Sequence, residues 1–293
     1  MTRIGWIGLG AMGGPMAAVV AGEHEVVAFD IDPRAASRLA DRGVTAAATL
    51  GDAARGAEVL MVMVATEAQV EMVLFGEHGA AAELSAGAVV VVMATVGPAP
   101  MPAWAARLSE AGVGLVDAPV SGGVARAGQG DLLVMVSGAA EDLERVSDIL
   151  ALLSRSAPVV GDKPGDGQKV KLVNQLLCGI HIAAAAEALA FAESLGLDAR
   201  ACWEVIRGGA AASFMLDDRG ERMLDGEFDV PKSAVDIFVK DMGLVGSAAA
   251  QTGARTPLAA TAQSLYSDAQ AHGLGRKDDS VMIEVLRPTW PAS

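Results

Sequence analysis

Over the first 160 or so residues, hydrophobic positions come in short, nearly unbroken runs separated by glycine, proline and acidic residues. Arg3–Ile7 (RIGWI), Glu25–Phe29 (EVVAF), Gly56–Val64 (GAEVLMVMV), Ala88–Met93 (AVVVVM) and Gly114–Val116 read as strands, and Leu132–Ser137 and Pro158–Val160 as closing strands. Runs this rich in Val and Ile suit parallel strands covered on both faces. Segments with helical spacing lie between them: Arg34–Arg42, Ala68–Leu74, a stretch from about Pro102 to Ala111, and Glu141–Leu153. Strand and helix alternating through short loops predict a doubly wound parallel sheet.

At Gly165 the pattern changes. GDGQKVKLVNQLLCGIHIAAAAEALAFAESLG reads as one helix closed by Gly196, and its Ala- and Leu-rich body would span about 40 Å. Its first turns carry a polar line, Lys171, Asn174, Gln175 and Cys178, at i, i+3, i+4 and i+7, which stack on one face. Beyond it only helical periodicity follows, at Ala199–Arg207, Phe214–Leu224, Ser233–Thr252, Pro257–His272 and Asp278–Leu286. The expectation is an α/β chain of two domains: 1–164 built on the sheet, and 165–293 all-helical, opening with the interdomain helix 165–195.

Composition narrows the classes. With 52% hydrophobic and 4% aromatic residues the core must be aliphatic, and both halves contribute to the net charge of −14. Neither half is basic, which argues against nucleic acid or an anionic membrane as partner. The two cysteines and four histidines have no ligand spacing, so no metal site is expected. The apolar N-terminus superficially resembles a signal peptide, but glycines and a proline interrupt it. The chain therefore reads as cytoplasmic.

Those glycines are informative. Gly8-Leu9-Gly10-Ala11-Met12-Gly13 is GxGxxG set between a strand and a helix. Gly8 permits the tight turn, Gly10 lets a pyrophosphate approach the backbone, and Gly13 lets helix and strand pack closely. The next strand ends at Asp30, 22 residues after Gly8, where a carboxylate accepts from the adenosine ribose and repels a 2′-phosphate. The cofactor expected on this Rossmann-type domain is NAD, although nearby Arg34 has the chemistry to hold a 2′-phosphate. Thr95 lies at the carboxyl end of a strand, where such sheets bind ligands. Ser121-Gly122-Gly123 offers successive backbone N–H groups and a hydroxyl, either as a carboxylate cradle or as a plain tight turn. Asp236 and Lys240 stand at i, i+4, spaced for a solvated ion pair or for a lysine reaching a ligand.

GLGAMGGPMA, DAPVSGG, GDGQKVKLVNQ and KDMGL follow one another along the chain. Together they resemble the β-hydroxyacid dehydrogenase family, which includes 3-hydroxyisobutyrate dehydrogenases, tartronate semialdehyde reductases and, distantly, 6-phosphogluconate dehydrogenases. HIAAAAEALAFA, SAVDIFVKDMGLV and GRKDDSVMIEVL most resemble its L-threonate dehydrogenase branch. The resemblance implies that Lys171 is catalytic and that Ser121, Gly122 and Gly123 hold the substrate carboxylate. It also implies that Asn174 and Gln175 contact substrate, and that Thr95 and Lys240 contact the cofactor. One departure is Val19, where the family signature usually carries Asn.

The implied chemistry is physically coherent. Oxidising an alcohol needs a hydride acceptor and a group that takes the hydroxyl proton. A lysine near its reference pKa of about 10.4 is a poor base at neutral pH. An apolar helix face beside a cationic nicotinamide would make it a better one. The expectation is NAD-dependent oxidation of a small hydroxy acid, L-threonate first. The alternatives are 3-hydroxyisobutyrate oxidation and tartronate or succinic semialdehyde (glyoxylate) reduction, in a homodimer or homotetramer. Ser213, Phe214 and Asp236 are candidates for selecting among these substrates.

Overall fold

The structure, a computed structural model, describes residues 1–288 and Trp290. It is α/β in its N-terminal half and helical in its C-terminal half. The contacts gather into two compact units, Met1–Lys171 and Leu172 onward.

In the first unit β1 (Arg3–Ile7), α1 (Gly13–Val20), β2 (Glu25–Phe29), α2 (Pro33–Ser37), β3 (Val44–Ala46), α3 (Leu50–Ala54) and β4 (Val59–Val62) come first. Then follow α4 (Glu67–Phe75), β5 (Val89–Val92), α5 (Met101–Ser109), β6 (Gly114–Asp117), β7 (Val120–Ser121), α6 (Gly123–Ala127), β8 (Leu132–Val134) and β9 (Val136–Ser137). Helix α7 (Ala140–Leu153), β10 (Ser154–Ser156) and β11 (Val159–Gly161) complete the sheets. The main sheet runs β11-β9-β6-β5-β4-β1-β2-β3, and a three-stranded sheet runs β10-β8-β7. Pairing in the main sheet is parallel except where Asp117 of β6 faces Ser137 of β9 in antiparallel sense.

The period of two assigns the core. Ile4, Trp6, Met61, Val89 and Val91 enter one buried cluster, while Ile7, Leu60, Val62, Val90 and Val92 enter another on the opposite face. Burial on both faces is what the unbroken apolar runs required.

Several boundaries differ from expectation, each for a local reason. Arg34–Arg42 is not one helix: α2 stops at Ser37, and a 3₁₀ turn at Ala40–Arg42 leads into Gly43, whose φ of 85° is left-handed. The three-residue β3 beyond it had no sequence counterpart. Leu132–Ser137 is not one strand either, since β8 joins the small sheet and β9 the main one. Pro257–His272 is helical throughout but changes from α to π winding after Ala269, and Gly273 (φ 82°) then turns the chain.

The helical half follows with α8 (Asp166–Ser194), α9 (Ala199–Ile206), α10 (Phe214–Asp225), α11 (Val235–Thr252), α12 (Pro257–Ala269) and α13 (Met282–Leu286). Its core gathers Ile182, Ala186, Leu189, Trp203, Met242 and Met282, with the Phe238 and Tyr266 rings stacked at 5.3 Å. The Tyr266 hydroxyl donates to Gly179 O at 2.9 Å. With 29 residues, α8 is long and apolar enough to cross a membrane by length and composition, but half of its most apolar window is buried in protein.

Candidate active site

The glycine turn is cut to a tight fit. Gly8 has φ 95°, and a Cβ there would stand 2.3 Å from Met63 O, while one at Gly13 would stand 2.1 Å from Gly8 O. A Cβ at Gly10 would meet nothing within 4 Å, so Gly10 faces open space. Helix α1 starts behind it with Met12 as N-cap and no side-chain cap, leaving amides and the positive dipole end for an anion. Leu9 N donates to Asp30 Oδ2 at 2.6 Å, and Asp32 N to Asp30 Oδ1 at 2.8 Å. Each oxygen keeps a lone pair for a ribose hydroxyl. Space at Gly10, a free helix end and a fixed carboxylate together fit a dinucleotide.

A second cluster in the same unit escaped the sequence reading. Asp117, at the end of β6, is fully buried with Ser137 and Gln168. Its Oδ2 accepts from Gly165 N and Gln168 N at 2.9 Å and from Ser137 Oγ at 3.3 Å, and its Oδ1 accepts from Gln168 Nε2 at 2.8 Å. Ser137 Oγ in turn accepts from Gly167 N at 2.9 Å. Burial pushes the Asp117 carboxyl above its ordinary pKa, while these donors hold it down. The carboxylate sits where an anion is favoured, at the amide end of α8. Gly167 is required there, because a Cβ would lie 2.5 Å from Met135 O.

Gln168 extends the cluster to the loop around Thr95. Its Oε1 accepts from Val96 N and Gly97 N at 3.0 Å, and its Nε2 also donates to Ala94 O at 3.0 Å. Thus the β5 loop bearing Thr95 and the first turn of α8 share one buried amide. One turn further along the helix is Lys171, 6% exposed. Its neighbour Lys169 points to the surface and pairs with Asp166 at 2.7 Å. Of the two lysines in GDGQKVK, burial singles out Lys171.

Ser121 closes β7, and Gly122 and Gly123 have φ of 146° and 79°, with Gly122 as N-cap of α6. Both glycines are conformationally required, and a Cβ on Gly123 would meet nothing within 4 Å.

In the second unit α8 carries Asn174, Gln175 and Cys178. The Asn174 amide donates to Gln175 Oε1 at 2.9 Å and to Cys178 Sγ at 3.4 Å. Gln175 Nε2 donates to Asp241 Oδ2, and Lys240 Nζ lies 3.1 Å from Asp241 Oδ1. Asp236, one turn before Lys240, accepts from Gln270 Nε2 at 2.7 Å. Asp241, 2% exposed, was the other residue missed; its signal was the Asp beside Lys240 in KDMGL. Ser213 caps α10 by accepting from Leu216 N at 3.0 Å, and Ser213 and Phe214 line an open cleft of about 690 Å³ with Arg207 and Asp217. Among the described residues no cluster of His, Cys, Asp or Glu is arranged to hold a metal ion.

Residues 3–161 match the profile of the NAD binding domain of 6-phosphogluconate dehydrogenase, and residues 165–286 that of the NAD-binding region of NADP-dependent 3-hydroxyisobutyrate dehydrogenase. The L-threonate dehydrogenase of Cupriavidus necator is 41% identical over 97% of this chain and 96% of its own length. The 2-hydroxy-3-oxopropionate reductase of Escherichia coli is 34% identical over 97% of each chain. A crystal structure of a 3-hydroxyisobutyrate dehydrogenase from Salmonella typhimurium matches with TM-score 0.91 at 37% identity, covering 97% of this chain and all of that one. Fold and relatives define an oxidoreductase that works with a nicotinamide cofactor. The chain belongs to the 3-hydroxyisobutyrate dehydrogenase family of hydroxyacid dehydrogenases.

Proposed function

We propose that the protein is an NAD-dependent dehydrogenase that oxidises L-threonate to 2-oxo-tetronate, with Lys171 as general acid/base. The observation that carries the substrate assignment is the 41% identity, over 97% of the chain, to a protein named L-threonate dehydrogenase. Bound NAD supplies the hydride acceptor. As the free amine, Lys171 takes the proton of the C2 hydroxyl while the carbonyl forms, and as the ammonium it returns that proton in reduction. Its burial, 6% exposed, supports this role by keeping the amine out of bulk water. Ser121 and the amides of Gly122 and Gly123 receive the substrate carboxylate, Asn174 and Gln175 orient the substrate, and Thr95 and Lys240 meet the cofactor. Asp30 supports NAD over NADP through the ribose hydroxyls. The enzyme acts in the cytoplasm; a homodimer or homotetramer is supported by the exposed apolar Val173, Leu177 and Phe191 on α8.

A second reading, 3-hydroxyisobutyrate oxidation, is favoured by the name of the Salmonella typhimurium structure. One assay separates them: NADH formation with L-threonate, D-threonate, D-erythronate, 3-hydroxyisobutyrate and D-glycerate, each with NAD and with NADP. Turnover of L-threonate with NAD above the others supports the proposal. Preference for 3-hydroxyisobutyrate or D-glycerate overturns the substrate and leaves the lysine chemistry.

A further inference from the structure

The loop after β2 carries two acids, Asp30 and Asp32, and α2 beyond it brings two bases, Arg34 and, at its end, Arg38; the structure gives the acids different work. Asp30 is committed to the backbone on both oxygens. Asp32 is committed to the arginines. Its Oδ1 accepts from Arg34 Nε at 3.1 Å as well as from Arg34 N at 3.0 Å, and its Oδ2 accepts from both terminal nitrogens of Arg38 at 3.4 Å. Arg34 and Arg38 are 81% and 61% exposed at the side chain, so charge rather than packing tethers them. The Arg34 guanidinium beside Asp32 also holds that carboxyl below its ordinary range.

Asp32 is coupled to the ribose site through its own amide, which donates to Asp30 Oδ1 at 2.8 Å. A 2′-phosphate entering at Asp30 would need a guanidinium to offset the carboxylate. Two guanidiniums stand on the adjoining helix, and both are engaged by Asp32. We infer that Asp32 is a specificity-determining residue: by holding Arg34 and Arg38 it withholds both guanidiniums from a 2′-phosphate, so that the site accepts NAD and rejects NADP. The inference rests on the assignment of Asp30 to the adenosine ribose made above.

The test is Asp32→Asn, because Asn is as good an N-cap as Asp and preserves the start of α2 while removing the charge. Loss of an exposed ion pair leaves stability nearly unchanged. NADH and NADPH are titrated separately against the purified protein by nucleotide fluorescence, giving a ratio of dissociation constants independent of turnover. Asp32→Asn should move that ratio toward NADPH by about tenfold, equivalent to about 1.4 kcal/mol. Adding Arg34→Ala and Arg38→Ala to Asp32→Asn should abolish the gain. A ratio for Asp32→Asn within about twofold of the wild type, or a gain that survives loss of both arginines, overturns the inference. Wild-type protein that binds NADPH as tightly as NADH would overturn the NAD preference along with it, whereas an NADH-preferring wild type unmoved by Asp32→Asn overturns the inference alone.

Discussion

Gln168 Nε2 donates to Asp117 Oδ1 across 2.8 Å, and through this bond the end of β6 grips the first turn of α8. Four donors converge on the carboxylate: Gly165 N, Gln168 N, Gln168 Nε2 and Ser137 Oγ. Asp117→Ala leaves all of them buried without that acceptor, and each unsatisfied group costs about 1–3 kcal/mol. We expect a loss of at least about 3 kcal/mol, seen as a lower urea midpoint. An unchanged midpoint would mean that the turn is held by other contacts.

Gly10 and Gly13 should separate binding from folding. At Gly13 an added methyl would stand 2.1 Å from Gly8 O, whereas at Gly10 it would meet no protein atom within 4 Å. Gly13→Ala should therefore lower the melting temperature of the unliganded protein. Gly10→Ala should melt like the wild type yet bind NADH at least about tenfold more weakly. Normal NADH affinity in Gly10→Ala would move the pyrophosphate elsewhere.

Lys171→Ala should reduce kcat by about 10²–10⁴-fold, the usual contribution of a positioned acid or base. NADH affinity should change little, since the role proposed for Lys171 is on the substrate hydroxyl and not on the cofactor. The pair of measurements, steady-state turnover and nucleotide titration, distinguishes lost chemistry from lost folding. Full turnover would end the proposed mechanism.

Glu71 gives a prediction in pH. It accepts from Arg107 and from Trp104 Nε1, and the Arg107 interaction, the largest cause, holds its carboxyl below the ordinary value of 4.5. A depressed native pKa stabilises fully above the unfolded value and is lost as pH falls through the native one. Glu71→Gln should thus be less stable than the wild type at pH 7, by urea unfolding, with the gap closing below pH 4.5. A gap constant with pH would show that the ion pair does not differ between folded and unfolded chains.

What the sequence made legible is what is encoded locally. The glycine turn, Asp30 at the end of β2 and the one long helix each follow from residues within a few positions of one another. Asp117 was opaque because its partners come from β9 and the start of α8, far away in sequence, and the loop around Thr95 joins only through Gln168. No periodicity in DAPVSGG distinguishes a buried hub from a strand-end acid. Asp241 was hidden in the same way beside Lys240. The break at Met135 was also illegible: the apolar run continues through it, and only strand pairing assigns its two halves to different sheets.

Because Asp117 fixes Gln168, the position of Lys171 is counted out along a rigid screw. Each residue of α-helix advances about 1.5 Å and turns about 100°. One residue inserted between Gln168 and Lys171 would swing the amine by that angle while every contact of the anchor stayed intact. A residue added to a surface loop of this unit leaves that register untouched, whereas the three steps from amide to amine set where the amine stands.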